Sequence, residues 1–356
     1  MTIDRVRLAN FRCFTAAEIK PAPGINVITG DNASGKTSVL EAIFFLGRGE
    51  SFRQSSARQA IHHDADDFVL NAEVSAQTGR PHRLAVQRSK TAIQYKRDGE
   101  RATRLDLVNS LPLQLIDPNV HRLLEQGPRY RRHFLDWGVF HVEHAFFPAW
   151  RRYRRALRQR NRALKARWPK KDTIAWDAEL VRCAEIIDAC RRAYIDHLSQ
   201  ALPESARRIV GSESVTLEYD SGWRGDEGFG KVLATQLERD QKAGFTQQGP
   251  HRADIRVMAA ESKARDWVSR GQQKMLTAAL LISQASILIN HRGILPVLLI
   301  DDLAAELGAR YRETLVAEVK TLGGQCFLTF LDAGVVPSAL ADAQMFHVER
   351  GVVFTP

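Results

Sequence analysis

The feature that most constrains this chain of 356 residues is the segment Gly30-Asp-Asn-Ala-Ser-Gly-Lys-Thr37, which matches the phosphate-loop pattern GxxxxGK(S/T). A short apolar run closed by glycine, Gly24 to Gly30, precedes it, and a helical run from Thr37 to Leu46 follows it. The glycines let the backbone curl so that its N–H groups point at phosphate oxygens. The helix that follows presents its positive N-terminus to the same anion. The segment therefore predicts a site for ATP with Mg²⁺.

Individual residues of this loop have distinct predicted roles. Lys36 is expected to reach the β- and γ-phosphates as a catalytic group, and the Thr37 hydroxyl is expected to ligate Mg²⁺. The alternative is a glycine-rich turn without a ligand, which the strand before the loop and the helix after it disfavour. The predicted nucleotide contacts comprise Gly30, Asp31, Asn32, Ala33, Ser34, Gly35, Lys36, Thr37 and Ser38.

A second candidate element is the apolar run from Pro296, which ends in the carboxylates Asp301 and Asp302. Ligands bind at the carboxyl ends of the strands in open α/β sheets, so this strand would deliver Asp301 beside the phosphate loop. We expect Asp301 to be a Mg²⁺ partner and Asp302 to accept a proton from an attacking water. A helix N-cap or a turn aspartate is the alternative.

The third element is Ser269-Arg-Gly-Gln-Gln-Lys274, which stands before a long apolar helix from Met275. A helix N-terminus offers free N–H donors. ABC-type ATPases use a Ser-Gly-Gln signature in trans, so Ser269, Gly271 and Gln272 are predicted to contact the γ-phosphate of ATP held by a second copy, with Ser269 as a catalytic group. An ordinary N-cap serine is the alternative.

The alternation of strands and helices differs along the chain and predicts a division into three segments. Residues 1–117 and 249–356 are expected to form an α/β head with a mixed or parallel sheet and flanking helices, and residues 118–248 a mainly helical insertion, the second lobe. The predicted elements include strands at Phe68–Val74, Leu84–Tyr95, Leu111–Ile116, Val297–Ile300 and Cys326–Thr329, and helices from Trp150 to Pro169 and from Trp176 to Leu202, the latter stopped by Pro203.

Charge is unevenly distributed, with 51 Lys and Arg against 41 Asp and Glu, a formal net charge of +10. Such an excess favours a polyanionic partner, either nucleic acid or an anionic membrane surface; scattered surface charge is the alternative. Residues 151–171 contain eleven Lys or Arg and no acid. A solvated surface helix or a protein docking surface remains open for this segment. The predicted DNA contacts are Arg151, Arg154, Arg155, Arg158 and Arg162.

Several other features have plain interpretations. No stretch approaches the roughly 18 consecutive apolar residues of a membrane span. The four cysteines lack metal-site spacing, which predicts reduced thiols in the cytoplasm. His141 and His144 are expected to be surface histidines, since a third metal ligand is missing, and the pair His62-His63 has no evident role. An aromatic group is expected in the core: Phe140, Phe146, Phe147 and Trp150.

With the loop, the Ser-Gly-Gln segment and the strand before Asp301 in this order, the chain resembles the RecF family of bacterial DNA replication and repair ATPases, which are SMC-like ABC ATPase heads. By this resemblance Arg12 and Asn32 lie where related heads contact the γ-phosphate. The likeness covers nearly the whole chain and includes Asn10–Phe14, Ser38–Ile43, Ser51–Arg53, Arg131–Asp136, Arg158–Asn161, Trp176-Asp177, Gly249–Arg252 and Ser269–Lys274.

The resemblance implies a homodimer that ATP closes around DNA, binding at single-stranded gaps, and help in loading recombinase with RecO- and RecR-type partners. It implies a weak, DNA-stimulated ATPase, and the short side chain of Asp302 suggests slow turnover suited to a switch. The chain departs from the family at Gly308, where an aspartate is expected after Ala305-Glu-Leu, and at Asn119, where a glutamate is common. The alternatives are a kinase-like P-loop enzyme and a DNA-binding scaffold with structural nucleotide.

Overall fold

The computed structural model describes residues 1–53, 57–75, 80–212, 214–224, 228–259, 262–264, 269–302 and 308–355. Trp267 and the segment Ala305–Leu307 lie outside these residues. The chain divides into two compact units, one of Met1–Val120 with Lys274–Pro356 and one of His121–Gln273. Among the described residues, no helix combines the length and the apolar character that crossing a bilayer requires.

The described strands are β1 (Thr2–Phe11), β2 (Phe14–Ile19), β3 (Ile25–Thr29), β4 (Asp67–Ser75), β5 (His82–Ser89), β6 (Ile93–Arg97), β7 (Glu100–Ala102), β8 (Leu113–Ile116), β9 (Val215–Asp220), β10 (Asp254–Ala259), β11 (Ser262–Lys263), β12 (Val297–Ile300), β13 (Cys326–Phe330), β14 (Gln344–Glu349) and β15 (Val352–Phe354). The described helices are α1 (Lys36–Arg48), α2 (Arg104–Ser110), α3 (Arg122–Glu125), α4 (Pro128–Val142), α5 (Phe146–Lys165), α6 (Lys170–Ile174), α7 (Asp177–Val210), α8 (Phe229–Ala243), α9 (Arg270–Arg292) and α10 (Ala309–Leu322). Short 3₁₀ turns occur at Ala57–Ala60, Pro250–Arg252, Ala333–Val335 and Ser338–Leu340.

The first unit contains two six-stranded sheets. One is antiparallel, in the order β2-β1-β4-β5-β6-β7; the other has the order β15-β14-β3-β13-β12-β8. In the second sheet β14, β3, β13, β12 and β8 run parallel and β15 is antiparallel. Residues of both sheets share one hydrophobic core with α1. A helix that buries most of its circumference is expected to be apolar nearly all round, as residues 39–47 of α1 are apart from Glu41.

Aromatic packing anchors α1 against the antiparallel sheet. Phe11 on β1 and Phe68 on β4 meet edge to face with ring centroids 5.0 Å apart, and Phe45 on α1 lies 5.2 Å from Phe68 in the same geometry. Edge-to-face pairs contribute energy beyond their buried area. The start of α1 and the loop before it are therefore attached to a rigid core.

The second unit packs α5 against α7 and carries a three-stranded sheet in the order β11-β10-β9. Strand β10 pairs antiparallel with β9 from Asp254 opposite Asp220 to Ala259 opposite Val215. This ladder is why residues 249–273 belong to the second unit, whereas the sequence places them in the head.

Helix α7 does not stop at Pro203, as the sequence predicts, but continues to Val210 and ends at Gly211 with φ 80°. A proline removes one helical N–H and crowds the turn before it. Here Leu202, Ala206 and Ile209 remain buried on the same helix. Burial of this apolar stripe outweighs the local cost of the proline.

Two further expectations were wrong in detail. The single strand predicted from Leu84 to Tyr95 is two strands, because the Ser89 amide donates to the Ala92 carbonyl over 2.9 Å and closes a turn between β5 and β6. His141 is buried rather than on the surface, with its ring 4.6 Å from that of Trp137. In the aromatic group Phe146 is buried, and Phe140, Phe147 and Trp150 are partly buried.

Candidate functional site

The loop between β3 and α1 can be built only with glycine at its two ends. Gly30 has φ 147° and Gly35 has φ 122°. A Cβ at Gly30 would lie 2.2 Å from the Val348 carbonyl oxygen, and one at Gly35 would lie 2.8 Å from the Cys13 sulfur. Gly35 is the N-cap of α1 and has no side chain to occupy the first-turn N–H groups. These donors are therefore available to an anion.

The Ser34 hydroxyl lies in the same loop and is buried without a hydrogen-bond partner in the part of the chain that the structure describes. An unsatisfied buried polar group costs roughly 1–3 kcal/mol. A phosphate oxygen in the loop would satisfy this hydroxyl, so the loop fits the anion for which its glycines leave room. Asp31, Asn32 and Ala33 are exposed, and Ser38 is buried in the first turn of α1.

The Lys36 ammonium folds back over the loop. Its Nζ donates to the carbonyl oxygens of Gly30 at 2.6 Å and Asp31 at 2.7 Å. Burial lowers the pKa of Lys36, and the nearby carboxylates of Asp302 and Asp301 act in the opposite direction. The Lys36 ammonium thus lies near both the loop and the acidic end of β12. A phosphate bound in the loop would be attracted by its positive charge.

Asp301, at the end of β12, is joined to helix α1 and to strand β13. Its Oδ1 accepts hydrogen bonds from the Thr37 hydroxyl at 3.0 Å and the Thr329 hydroxyl at 2.8 Å. Burial raises the pKa of the Asp301 carboxyl, and these two hydrogen bonds oppose the shift. A hydroxyl and a carboxylate oxygen are ligands that Mg²⁺ prefers, so Thr37 and Asp301 together fit the predicted ion.

Thr329 is a site residue that the sequence analysis missed. Its hydroxyl also accepts from the Asp302 amide at 2.7 Å, so it positions both carboxylate residues at the end of β12. Asp302 itself has φ 50°, an uncommon conformation for a residue other than glycine. The signal was present in the sequence, since a threonine near the end of the neighbouring parallel strand must reach the same edge of the sheet.

Asp302 lines a pocket together with Asp301, Pro118 and Lys274. Asn119 is one of the two departures from the family pattern. Its backbone N–H donates a hydrogen bond to Asp117 Oδ1 at 3.1 Å within a local turn. The other departure, Gly308, is the N-cap of α10 and has no side-chain cap.

Arg12 is held by a buried carboxylate that the sequence analysis also missed. The guanidinium donates to both Glu41 oxygens, at 2.9 and 2.5 Å, and to the Gln59 carbonyl at 2.6 Å. Glu41 is fully buried on α1, where Ser51 donates to it at 2.5 Å and Arg53 lies 3.7 Å away. A single glutamate within the otherwise apolar residues 39–46 of α1 was the available signal.

Ser269 forms a capping box at the start of α9. The Ser269 hydroxyl accepts a hydrogen bond from the backbone N–H of Gln272 at 3.3 Å. In return, the side-chain oxygen of Gln272 accepts one from the backbone N–H of Ser269 at 2.9 Å. Ser269 is exposed, and Gly271 and Gln272 are half-buried. The structure therefore assigns Ser269 a structural role as the N-cap, and its side chain is also accessible to solvent. Residues 269–273 belong to the second unit.

The cationic helix α5 separates into two kinds of arginine. Arg160 is fully buried and pairs with Asp177 at 2.8 Å and Asp240 at 2.7 Å, so it does not belong to the basic face. The five predicted DNA contacts are all exposed, and none of them forms an ion pair within the described ranges. We name these five the α5 basic face: Arg151, Arg154, Arg155, Arg158 and Arg162.

Several of the segments that resemble the RecF family contain residues that form largely buried ion pairs within the second unit. Asp177 of the Trp176-Asp177 pair binds Arg160 of the segment Arg158–Asn161. These motifs therefore report how the helices pack. The other such pairs are Arg131 with Asp254 at 2.8 Å and Asp136 with Arg191 at 2.8 Å.

A family model described as the RecF/RecN/SMC N terminal domain matches residues 2–353. The DNA replication and repair protein RecF of Chromohalobacter salexigens is 40% identical over 362 residues, which cover 100% of this chain and 100% of that protein. RecF of Shewanella piezotolerans is 38% identical over 357 residues, which cover 99% of each chain.

Two solved structures are similar in fold. The recombination mediator protein RecF–ATP in the RecFOR pathway gives a TM-score of 0.88 at 24% identity and covers 100% of this chain and 97% of that chain. An SMC head bound to the C-winged helix domain of ScpA gives 0.61 at 14% identity, with coverage of 100% and 97%. The predicted fold class, an ABC-type P-loop ATPase head with an inserted lobe, is confirmed. The family match over nearly the whole chain and the identity to full-length relatives show that the chain belongs to the RecF family.

Proposed function

We propose that this protein is a cytoplasmic, ATP-controlled DNA-binding protein of replication and recombinational repair. It binds Mg-ATP in the Gly30–Thr37 loop, closes as a homodimer around DNA at single-stranded gaps, and helps to load recombinase with RecO- and RecR-type partners. Slow, DNA-stimulated hydrolysis reopens the dimer. The RecF relatives at 37–40% identity support the repair role, and a structural neighbour described as RecF–ATP in the RecFOR pathway supports the nucleotide and the partners.

The observation that carries the nucleotide part is the hydrogen bond from Thr37 to Asp301, because it joins the phosphate loop to the acidic end of β12. When bound there, Mg²⁺ would neutralise charge that develops on the phosphates. Lys36 would bind the β- and γ-phosphates, and Asp302 would orient the attacking water and accept its proton. Ser269 of a second copy would complete the γ-phosphate contacts.

The α5 basic face supports the DNA part. Like charges at helical spacing repel one another, and exposed arginines without acidic neighbours gain most from a polyanion. Contacts to phosphate carry affinity without sequence readout and depend strongly on salt. This matches a protein that recognises a DNA structure rather than a DNA sequence.

Sedimentation with and without ATP, on gapped, single-stranded and double-stranded DNA, tests the proposal directly. The wild type is expected to dimerise with Mg-ATP and to bind gapped DNA most tightly. The variant Lys36→Arg is expected to retain DNA binding and to lose ATP-dependent release. Dimerisation that is indifferent to ATP would contradict the mechanism.

Replacing Arg151, Arg154, Arg155 and Arg158 with Glu tests the DNA surface. We expect weaker binding and a flatter dependence on salt, because each phosphate that is no longer neutralised on duplex DNA lowers the slope of log K against log salt by about 0.9. Unchanged affinity and slope would move the DNA surface elsewhere.

ATPase assays with and without DNA separate the remaining alternatives. A kinase-like P-loop enzyme predicts no stimulation by DNA and no ATP-driven dimer. A scaffold with structural nucleotide predicts no phosphate release under any condition.

A further inference from the structure

The end of α5 carries a tryptophan in an unusual setting. Trp168 is 44% exposed, while the other tryptophans among the described residues are buried or partly buried. Its ring makes no aromatic or cation–π contact with the described residues, and its indole N–H has no hydrogen-bond partner among them. An exposed aromatic ring without a protein partner is a surface that a ligand can cover.

The backbone at Trp168 is held in one conformation. The amides of Arg167 and Trp168 donate back to the carbonyls of Leu164 at 3.1 Å and Ala163 at 3.0 Å, which is the hydrogen-bond pair of a Schellman helix end. Pro169 follows directly, and a residue before proline is restricted to extended conformations. The main chain that carries the indole is therefore restrained on both sides before any ligand arrives.

The left-handed position of this turn is occupied by Arg167, with φ 54°. Elsewhere this chain uses glycine there: α1, α7, α8 and α10 end at Gly49, Gly211, Gly244 and Gly323, all with positive φ. A side chain in this conformation is strained where glycine is not. The end of α5 thus keeps a cation beside Trp168 at a cost in stability.

More cations surround the ring in sequence. Lys165, Arg167, Lys170 and Lys171 are all exposed, and within the described part of the chain only Lys170 has an ion pair, to Glu238 at 3.6 Å. Proteins that bind single-stranded nucleic acid combine positive charge along the backbone with aromatic rings on which bases stack. A duplex keeps its bases stacked inside, so an aromatic ring gains little from it.

We infer that Trp168 is a stacking site for an unpaired nucleobase, with Arg167 and the neighbouring lysines binding the adjoining phosphates. This inference rests on the proposed DNA-binding function and deepens it, because it assigns recognition of single-stranded over duplex DNA to one side chain. The α5 basic face supplies affinity for either form of DNA, and Trp168 adds affinity for exposed bases alone.

The test compares full-length wild type, Trp168→Ala and Trp168→Phe by fluorescence anisotropy with Mg-ATP. The probes are a labelled oligothymidylate, an abasic strand of equal length and a matched duplex. We expect Trp168→Ala to bind the oligothymidylate about tenfold more weakly, with an unchanged salt slope because no charge is lost. Trp168→Phe should retain most of the affinity. On the abasic strand, Trp168→Ala should have the same affinity as the wild type, and the same should hold on the duplex.

A second variant, Arg167→Gly, relieves the strained turn and removes one cation. We expect its melting temperature to rise by about 2 °C and its salt slope on single strands to fall by about 0.7. The inference fails if Trp168→Ala has no effect, or if it weakens abasic and duplex binding as much as oligothymidylate binding. If the wild type binds none of the three probes, the proposed function itself is wrong. Matched thermal melts of the Trp168 variants confirm that any loss is not unfolding.

Discussion

The charged groups around Asp301 and those of the α5 basic face are held in opposite ways. Asp301 is almost fully buried and accepts hydrogen bonds from two threonines on two other elements. The arginines of the basic face lie at the surface and have no acidic partner among the described residues. Burial explains the first arrangement, because a charge taken out of water is costly unless it is partnered.

Exposure alone does not explain the second arrangement. On α7, exposed arginines do pair: Arg192 lies 2.7 Å from Asp188, and Arg208 lies 2.5 Å from Glu204. On α5 itself, the buried Arg160 has two carboxylate partners. Partnered charges therefore set the geometry of this protein, whereas charges left unpaired among the described residues are available to a ligand.

Arg160→Met tests the partnered class with the largest expected effect. The change leaves Asp177 and Asp240 without their cation, which costs about 3–5 kcal/mol of unfolding free energy for a buried pair that loses one member. Urea unfolding followed by circular dichroism measures the loss. Arg158→Met on the exposed face is the matched control, expected to change stability by less than about 0.5 kcal/mol. Similar losses of stability in both variants would show that the partnered Arg160 and the unpartnered Arg158 do not differ in their structural role.

Asp301→Asn is expected to lower Mg-dependent ATPase activity about 100-fold, since it removes the charge that would hold the ion. Without nucleotide, the same substitution is expected to stabilise the protein at neutral pH, although it lowers the ATPase activity. Because burial raises the pKa of Asp301, its contribution to stability is present below the unfolded pKa and is lost as pH rises through the folded pKa.

Melting temperatures of wild type and Asp301→Asn between about pH 4 and pH 7 check this sign. The wild type should fall relative to the variant as pH rises. A variant that loses activity but gains no relative stability at neutral pH would indicate that the threonine hydrogen bonds fully compensate the buried charge.

Ser269 allows the two roles of one residue to be separated. Ser269→Ala removes the cap of α9 and should cost about 1 kcal/mol of stability. Ser269→Asp keeps a good cap but places a negative charge where the γ-phosphate of a second copy is proposed to bind, so it should retain stability and lose ATP-dependent dimerisation. Sedimentation velocity with Mg-ATP measures this. Normal dimerisation of the Asp variant would leave Ser269 as a cap alone.

Arg158→Ala has the smallest expected effect. Removing one unpaired cation should lower the salt slope of duplex binding by about 0.9 and leave stability within about 0.5 kcal/mol of wild type. Arg208→Ala removes a paired exposed arginine from α7 and should not alter the slope. Equal slopes for the two variants would show that pairing does not distinguish ligand-binding arginines here.

The geometry of the candidate nucleotide site was largely predictable from the sequence. Carboxyl ends of parallel strands meet at one edge of a sheet, so a phosphate loop after one strand and Asp301 after another had to converge. Strand β12 has the predicted bounds, Val297–Ile300, because a run of apolar residues buried on both faces has few alternatives. The predicted roles of the loop residues rest on chemistry that is local in sequence.

Other parts depended on contacts between distant residues. Glu41 and Thr329 were missed because no sequence motif marks their contacts with Arg12 and Asp301, which are made only in the fold. Glycine is required at Gly30 because a Cβ there would meet the carbonyl oxygen of Val348, on a strand near the end of the chain. Pro203 was misread because its local cost was visible and the burial that offsets it was not.

From the amino-acid sequence alone follow the phosphate-loop pattern, the family and the concentration of positive charge in residues 151–171. Only the tertiary structure decided which of those charges are free, since it buried Arg160 between Asp177 and Asp240 and left its neighbours in solvent. The physical reason is that composition and spacing are properties of neighbouring residues, whereas burial and pairing are decided where distant segments meet.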